Sequence, residues 1–398
     1  MKIMLPVGSP ATGNDFIDRE IETRLILDYL DKDHILLIAP RRYGKTSIMK
    51  KIERTLSESD DIICIFLEVE DISTPSKLLT EMISGLISSE KLKKTTKITT
   101  KIKDGFHWFR DNFESLESVV LKAQLRHDIE SDLQEEWDNK AYQMMKIVGS
   151  TSNKVIIIID EFPYALKKMD SKDMEAFLSW FRKVRMTIPN VKFVVGGSVS
   201  IDNIVDSIGE SKLINDFKRV KISGFNKTVA LSVIQRTFEE ENWDYRPAYG
   251  EYILECIGEP YIPYFLAIFL SAIKDETTQG EEISSDLLRT IYETTILGSE
   301  GKHHFIHYKQ RLNTVTDYPG IQRKVAKNLL DQLSQVDVYP RSLAYEIYRN
   351  ESGTDDHDEF CSLLADLAHD YYIVETPDGD LKFHSKLLKD WWRIYHGY

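Results

Sequence analysis

The sequence has few cysteines and no long apolar segment. Its three cysteines, Cys64, Cys256 and Cys361, are far apart and lack the short spacing of metal ligands. This excludes a disulfide framework as the basis of the fold and favours a reducing compartment. No apolar run approaches the roughly 20 residues of a membrane-spanning helix, and the first residues do not resemble a secretory leader. We therefore expect a cytoplasmic protein without a membrane partner.

The chain also lacks an excess of basic charge, since 51 lysines and arginines face 64 aspartates and glutamates, a net charge of −13. Such a surface repels phosphates of nucleic acids and lipids. One dense basic run precedes Phe106, Trp108 and Phe109. Basic residues beside aromatic ones can bind single-stranded nucleic acid by charge and stacking. Acidic residues follow immediately, so a solvated loop before an amphipathic helix is the preferred interpretation. The basic residues of the run are Lys91, Lys93, Lys94, Lys97, Lys101 and Lys103.

With 398 residues, the chain is longer than one hydrophobic core normally serves, so two or three domains are expected. Runs of apolar and β-branched residues alternate with helical patterns, which predicts an α/β fold with a parallel sheet covered on both faces. The predicted strands are residues 34–38, 62–68, 155–159, 191–195 and 219–222. Roughly 85 residues separate the second strand from the third, which predicts a helical insertion at about 85–150.

The most informative segment is residues 39–46, with the sequence A-P-R-R-Y-G-K-T. It joins the first predicted strand to a helical pattern, which is the context of a phosphate-binding loop. Backbone N–H groups at a helix N-terminus bind phosphates; Lys45 would reach the β and γ phosphates, and the Thr46 hydroxyl would ligate Mg²⁺. The predicted nucleotide-binding residues of the loop are Ala39, Pro40, Arg41, Arg42, Tyr43, Gly44, Lys45, Thr46 and Ser47.

A second motif ends the third predicted strand, where a run of isoleucines leads into Asp160 and Glu161. The run is typical of a buried parallel strand. A carboxylate at the carboxyl end of such a strand lies beside the phosphate loop, so Asp160 is a candidate to hold Mg²⁺ through its water shell. Glu161 would then polarise the attacking water as a general base. Lys45, Asp160 and Glu161 are therefore the predicted catalytic residues, and Thr46 and Asp160 the predicted metal-binding residues.

Two weaker candidates follow further along the chain. Ser198, and after it Ser200, could sense the γ-phosphate from the end of the fourth strand, although a plain Gly-Gly-Ser turn explains them equally well. Arg182 and Arg185 could supply an arginine finger to a neighbouring subunit, but a solvent-facing basic helix is the preferred interpretation.

Three histidines, His303, His304 and His307, have a spacing that would suit metal ligands on a helix. No cysteine or carboxylate completes a ligand set nearby. A surface or linker role is therefore preferred.

Taken together, these motifs resemble the STAND-type P-loop ATPases, specifically the archaeal-type ATPase group. The similarity begins with F-x-x-R-E-x-E at residues 16–22, which includes Arg19, and continues through P-R-R-Y-G-K-T-S at residues 40–47. It includes the strand ending at Asp160 and the G-x-P element that ends at Pro260, and extends to residues 305–312 and 387–392. Ala39, in place of glycine, and the long insertion depart from the family pattern.

The resemblance implies an AAA+-like ATPase core with ATP and Mg²⁺ as ligands, a helical lid that approaches the base through Pro260, and a C-terminal winged helix. The residue patterns agree, because strand signals disappear after about residue 225 and three helices followed by a hairpin pattern begin near residue 320. The expected domains are residues 1–225, 226–318 and 319–398.

The expected function is an ATP-hydrolysing regulatory switch that controls self-association or a protein partner. The alternative is an origin-recognition-like, ATP-dependent DNA-binding protein, and a third possibility is a nucleotide-binding scaffold without hydrolysis. Residues 320–398 contain 9 Lys or Arg and 14 Asp or Glu, a net charge of −5. Since duplex affinity depends largely on neutralising phosphates, this charge disfavours DNA as the partner.

Overall fold

A computed structural model describes residues 5–13, 16–93, 119–134, 136–197, 201–206, 208–278, 282–313, 318 and 320–398. The chain divides into two compact units. The first unit contains Met1–Asp18, Arg42–Gly44 and Ser223–Tyr398, and the second contains Arg19–Arg41 and Lys45–Ile222. The expected division into three domains remains a prediction.

The second unit is built on a five-stranded parallel sheet with the strand order β2-β3-β4-β1-β5. Its strands are β1 (His34–Ile38), β2 (Ile62–Glu68), β3 (Lys154–Asp160), β4 (Val191–Gly197) and β5 (Phe217–Lys221). The isoleucines of β3 are fully buried, as expected of a central parallel strand. The predicted α/β fold class with a parallel sheet is confirmed.

Helices cover this sheet and separate its strands. They are α1 (Glu20–Tyr29), α2 (Lys45–Ser57), α3 (Pro75–Ser88), α4 (Glu90–Lys93), α5 (Val119–Asp132), α6 (Trp137–Gly149), α7 (Phe162–Lys168), α8 (Ser171–Thr187) and α9 (Ile201–Asp206). Side-chain caps define several of their starts: Asp170, for example, accepts a hydrogen bond from the backbone N–H of Asp173 at the start of α8. A buried aromatic cluster of Phe162, Phe177 and Phe181 packs α7 and α8 together.

The register of the sheet aligns the carboxyl ends of three strands. Ile38 at the end of β1 lies opposite Gly197 of β4, and Asp160 at the end of β3 lies opposite Gly196 of β4. The segments that follow β1 and β3 therefore leave the sheet at the same edge, where ligands bind in open α/β folds.

The first unit is mainly helical. Its middle helices are α10 (Lys227–Glu240), α11 (Pro247–Ile257), α12 (Pro263–Thr278), α13 (Ser285–Thr290), the π-helix Ile291–Ile296, the 3₁₀ turn Gly301–His304 and α14 (Ile306–Leu312). Its C-terminal region contains α15 (Ile321–Leu333), α16 (Arg341–Ser352), α17 (His357–His369), the antiparallel strands β6 (Ile373–Glu375) and β7 (Leu381–Phe383), and α18 (Lys386–His396).

Buried polar and aromatic contacts join the middle helices to the C-terminal region within this unit. The Tyr292 hydroxyl donates to Asp390 Oδ2 at 2.6 Å, and Phe305 stacks on Trp391 with a centroid distance of 5.3 Å. Tyr292 is 7% exposed, so this hydrogen bond is shielded from water. Loss of either partner would leave the other polar group buried without a hydrogen bond, which costs free energy. The two parts of the first unit are therefore packed against each other.

The predicted basic run is described structurally only at its start. The Lys91 ammonium donates to the carbonyl oxygens of Ser57 at the end of α2, Ser59 in the following loop and Ile62 at the start of β2. This lysine therefore binds the backbone of its own unit. The side chains of the remaining lysines and the three aromatic residues lie outside the described residues. Across the ranges given above, no helix combines the length and apolar character needed to cross a membrane.

Candidate functional site

Four predicted residues of the second unit lie together at the carboxyl edge of the sheet. The Lys45 ammonium, at the start of α2, is 3.0 Å from Glu161 Oε1 and 3.5 Å from Asp160 Oδ1. The Thr46 hydroxyl donates to Asp160 Oδ2 at 2.5 Å. Lys45 and Asp160 are 6% and 2% exposed, so their charges interact with little screening by water. The fold therefore gathers a cation, a hydroxyl and two carboxylates in one buried cluster.

Glu161 has a strained backbone. Its φ of 56° places it in the left-handed region, which costs a non-glycine residue about 1–2 kcal/mol. Its N–H donates to Asp160 Oδ1 at 3.0 Å, and α7 begins at the next residue. Strain of this kind persists only where the surroundings impose it, and it concentrates at functional sites.

Gly197 provides the space beside this carboxylate. A Cβ atom at Gly197 would lie 2.5 Å from Pro163 Cδ and 3.4 Å from Glu161 Oε2. A larger residue would have to displace Pro163, which lies in the first turn of α7. The glycine at the end of β4 therefore permits the close approach of Pro163 beside Glu161. Its sequence neighbour Ser198, the predicted γ-phosphate sensor, lies outside the described residues.

The other predicted loop and motif residues of the second unit are either buried or paired with an acidic side chain of the same unit. Ala39, Pro40 and Ser47 are buried. Arg41 is exposed and lies 3.6 Å from Glu70, and Arg19 is buried and donates to Glu22 Oε1 at 3.0 Å. The loop begins and ends on rigid elements, β1 and α2, which hold its flanks in place.

The middle of the loop, residues 42–44, belongs to the first unit. There the Arg42 guanidinium lies 3.9 Å from the centroid of the Tyr264 ring, and the Tyr43 hydroxyl lies 2.7 Å from His384 Nε2. Sequence reasoning did not identify Tyr264 or His384, because no motif or spacing connects either residue to the loop. The sequence favours a surface or linker role for His304, but this residue is half-buried and its backbone carbonyl accepts a hydrogen bond from Arg42.

Pro260 also lies in the first unit and is half-buried. The following residue, Tyr261, forms an isolated antiparallel bridge with Phe225, whose N–H donates to the Tyr261 carbonyl at 2.9 Å. Gly224 permits this approach, since a Cβ there would lie 3.0 Å from the Tyr261 carbonyl oxygen. The G-x-P element is thus fixed to the chain that enters the middle helices.

Arg185 does not have the exposed position that an arginine finger requires, and its predicted solvent-facing position is wrong. It is 4% exposed, and its guanidinium donates to both carboxylate oxygens of Asp216 at 2.8 Å and to the Leu213 carbonyl. The guanidinium also stacks on Phe181 and Phe217. Since the bidentate pair with Asp216 offsets the cost of burying the positive charge, Arg185 can occupy a buried position that its charge alone would not predict.

The donor set of the buried cluster fits a magnesium nucleotide. A hydroxyl and a carboxylate are the hard oxygen ligands that Mg²⁺ takes from proteins while it retains water and phosphate ligands, and a lysine pairs with phosphates. Among the described residues, no group of three or more His, Cys, Asp and Glu side chains could hold a metal ion by itself. A metal at this site would therefore need ligands from a substrate or from water.

No protein-family model matches the sequence, and no curated protein matches it. Several solved structures are similar to nearly the whole chain, including the following two. The Walker-type ATPase PABY2304 of Pyrococcus abyssi has a TM-score of 0.66 and 19% identity, and the similarity covers 98% of this chain and 99% of that chain. The ORC2 protein of Aeropyrum pernix, in its ADPNP-ADP complexes, has a TM-score of 0.58 and 12% identity, with coverage of 99% and 97%. These likenesses show that the chain has the fold of P-loop ATPases.

Proposed function

We propose that the protein binds and slowly hydrolyses ATP with Mg²⁺ and acts as a regulatory switch of the STAND type. The observation that carries this proposal is the cluster of Lys45, Thr46, Asp160 and Glu161, whose charges and hydroxyl match the needs of a magnesium triphosphate. The Walker-type ATPase of P. abyssi, similar in fold over the whole chain, supports the ATPase assignment.

In this proposal each residue has a distinct task. Lys45 binds the β and γ phosphates, and Thr46 and Asp160 hold Mg²⁺, which when bound neutralises charge on the phosphate oxygens. In the described structure Lys45 pairs with Glu161. Phosphate oxygens would replace Glu161 as a partner of Lys45, so the Glu161 carboxylate becomes available to accept a proton from the attacking water.

Phosphate release tests the hydrolytic part. Glu161→Gln removes the base but keeps the size of the side chain, and turnover should fall at least about 100-fold, the usual contribution of a general base. Glu68→Gln is a matched control, since Glu68 ends the neighbouring strand β2 opposite Asp160 and is exposed. Normal turnover in Glu161→Gln would exclude Glu161 as the base. Absence of phosphate release by the wild type would indicate a nucleotide-binding scaffold.

The regulatory part is tested by the molar mass of the Glu161→Gln protein in light scattering, with saturating Mg-ATP and with Mg-ADP. A larger species with ATP alone would identify self-association as the output of the switch. An unchanged mass would assign the output to a different protein, which the ATP-bound form would have to capture.

The alternative function, ATP-dependent DNA binding, gains support from the similarity of the fold to the ORC2 protein of A. pernix. The charge of the chain opposes it, since −13 overall and −5 over residues 320–398 repel phosphates. Fluorescence anisotropy of a labelled DNA duplex at physiological salt, with and without Mg-ATP, distinguishes the regulatory switch from the DNA-binding protein. We expect no binding, whereas ATP-dependent binding that weakens with salt would favour the alternative.

A further inference from the structure

The middle of the phosphate loop has the backbone conformation of an anion-binding nest. Arg42 has a φ of 74° and Gly44 a φ of 87°, and Tyr43 between them is not in the positive-φ region. Alternation of left-handed and ordinary residues directs successive N–H groups into one concavity, which binds phosphates. Glycine adopts a positive φ at no steric cost, whereas the same conformation costs Arg42 about 1–2 kcal/mol of conformational energy. Contacts with surrounding residues must therefore stabilise Arg42 in this conformation.

The side chain of Arg42 is held by the middle helices of the same unit. Its guanidinium lies 3.9 Å from the centroid of the Tyr264 ring and donates to the His304 carbonyl oxygen. The Tyr264 hydroxyl is 2.8 Å from His304 Nδ1, so the two contacts support one another. Burial, then the neighbouring His303 and Arg42, lower the pKa of His304 to about 4, so the ring is neutral at neutral pH and does not repel the guanidinium.

Tyr43 is held by the C-terminal region. It is 3% exposed, and its hydroxyl lies 2.7 Å from His384 Nε2. Its ring packs near Tyr371 and His384, with centroid distances of 6.3 and 6.2 Å. His384 is fixed in turn, because its N–H donates to the Tyr372 carbonyl at 2.9 Å. Burial raises the pKa of Tyr43 above its ordinary value, so the hydroxyl stays protonated.

We propose that Tyr264, His304 and His384 are positioning residues that hold residues 42–44 ready for phosphate. This inference rests on the proposed function, because it concerns nucleotide affinity. Tyr43 is only two positions before Lys45, so displacement of Tyr43 would also disturb the loop that presents the lysine.

A double-mutant cycle on Tyr43 and His384 tests the proposal, with the dissociation constant of a fluorescent Mg-ADP analogue as the readout. Tyr43→Phe removes only the hydroxyl, and His384→Ala removes its partner. Each should weaken binding about fivefold, the equivalent of one net hydrogen bond. The double variant should bind no more weakly than the weaker single variant, because both changes remove the same interaction. His384→Gln, whose amide can replace Nε2, should restore most of the affinity.

Tyr318→Phe is the matched control, since Tyr318 is a buried tyrosine of the same unit whose hydroxyl donates to Asp370 at 2.8 Å. It should lower the melting temperature but leave nucleotide affinity unchanged. Affinities equal to that of the wild type in Tyr43→Phe and His384→Ala, or strictly additive losses, would overturn the positioning role while ATP binding stands. A wild-type protein that binds no nucleotide would overturn both proposals.

Arg42 provides an independent test of the strain argument. Arg42→Gly removes the contacts but also the cost of the left-handed backbone, whereas Arg42→Ala removes the contacts and keeps that cost. Arg42→Ala should therefore bind Mg-ADP more weakly than Arg42→Gly, by about fivefold. Equal affinities in the two variants would show that the conformation of Arg42 does not limit nucleotide binding.

Discussion

Lys45 and Glu161 are 116 positions apart in the chain, yet their side chains form an ion pair of 3.0 Å. Because the two motifs are so far apart in the sequence, neither of them alone is specific for a phosphate-binding site. The motifs become specific when the fold aligns the ends of β1 and β3 and places Thr46 within hydrogen-bonding distance of Asp160. At the scale of the residue, the proposed chemistry depends on hydroxyl and carboxylate groups that the fold brings into contact.

The Thr46 hydroxyl can be tested by an isosteric change. Thr46→Val keeps the shape but removes the hydroxyl, so Mg²⁺ would lose a ligand and Asp160 a hydrogen bond. We expect ATP affinity in the presence of Mg²⁺ to fall about tenfold or more, because hydrogen bonds to charged groups contribute about 1.5–3 kcal/mol. Titration of a fluorescent ATP analogue with Mg²⁺ or with EDTA measures this loss.

Thr46→Ser is the control, since it keeps the hydroxyl, and its affinity should stay within about threefold of the wild type. The prediction fails if Thr46→Val gains as much affinity from Mg²⁺ as the wild type does. That result would remove Thr46 from the predicted metal ligands.

At the scale of the element, the sequence predicted all five strands of the sheet, because buried parallel strands are short continuous apolar runs. The ends of the strands were less accurate. β4 continues to Gly197, beyond the predicted end at Val195, because pairing with β1 continues through two glycines that carry no apolar signal. β5 begins at Phe217, where polar residues on its exposed side interrupt the apolar pattern.

Long-range side-chain contacts could not be predicted. Arg185 is buried because Asp216, 31 positions away, forms a bidentate pair with it. The contacts of Arg42 and Tyr43 are also beyond sequence reasoning, since their partners lie more than 200 positions away in the chain. Helical periodicity shows which face is apolar but does not show which polar residue will find a buried partner.

His34 at the start of β1 makes the second unit sensitive to acid. Its Nδ1 accepts from the Phe193 N–H at 3.2 Å, and its Nε2 lies 3.3 Å from the Arg185 carbonyl oxygen. Burial, with the nearby charges of Lys192 and Arg185, lowers its pKa from 6.5 to about 4. The neutral form is therefore favoured in the folded state, and this stabilisation is present above pH 6.5 and is lost as the pH falls towards 4.

Between pH 7 and pH 5 this histidine should lower the free energy of unfolding by about 2 kcal/mol. His34→Gln keeps a donor and an acceptor but does not titrate, so its stability should fall less over that interval. Urea unfolding at the two pH values measures the difference. His127→Gln is the control, because the His127 side chain is 78% exposed. An equal pH dependence of the wild type and His34→Gln would contradict the assignment.

At the scale of the whole molecule, the fold is that of P-loop ATPases, and the chain is similar to two of them over nearly its full length. The structural similarity shows the fold, but at sequence identities of 19% and 12% it does not show the activity, which has to be inferred from the residues of the site. The middle of the loop is part of the first unit, whereas Lys45 and Thr46 are part of the second.

The most direct measurement is the identity of the nucleotide that stays bound after incubation with Mg-ATP and rapid removal of free nucleotide. We expect the wild type to retain ADP, Glu161→Gln to retain ATP, and Lys45→Ala to retain neither. Each variant changes one group of the buried cluster, so the three results test binding and hydrolysis separately. Retention of ATP by Lys45→Ala would exclude Lys45 as the phosphate-binding lysine, and retention of ADP by Glu161→Gln at the wild-type level would exclude Glu161 as the general base.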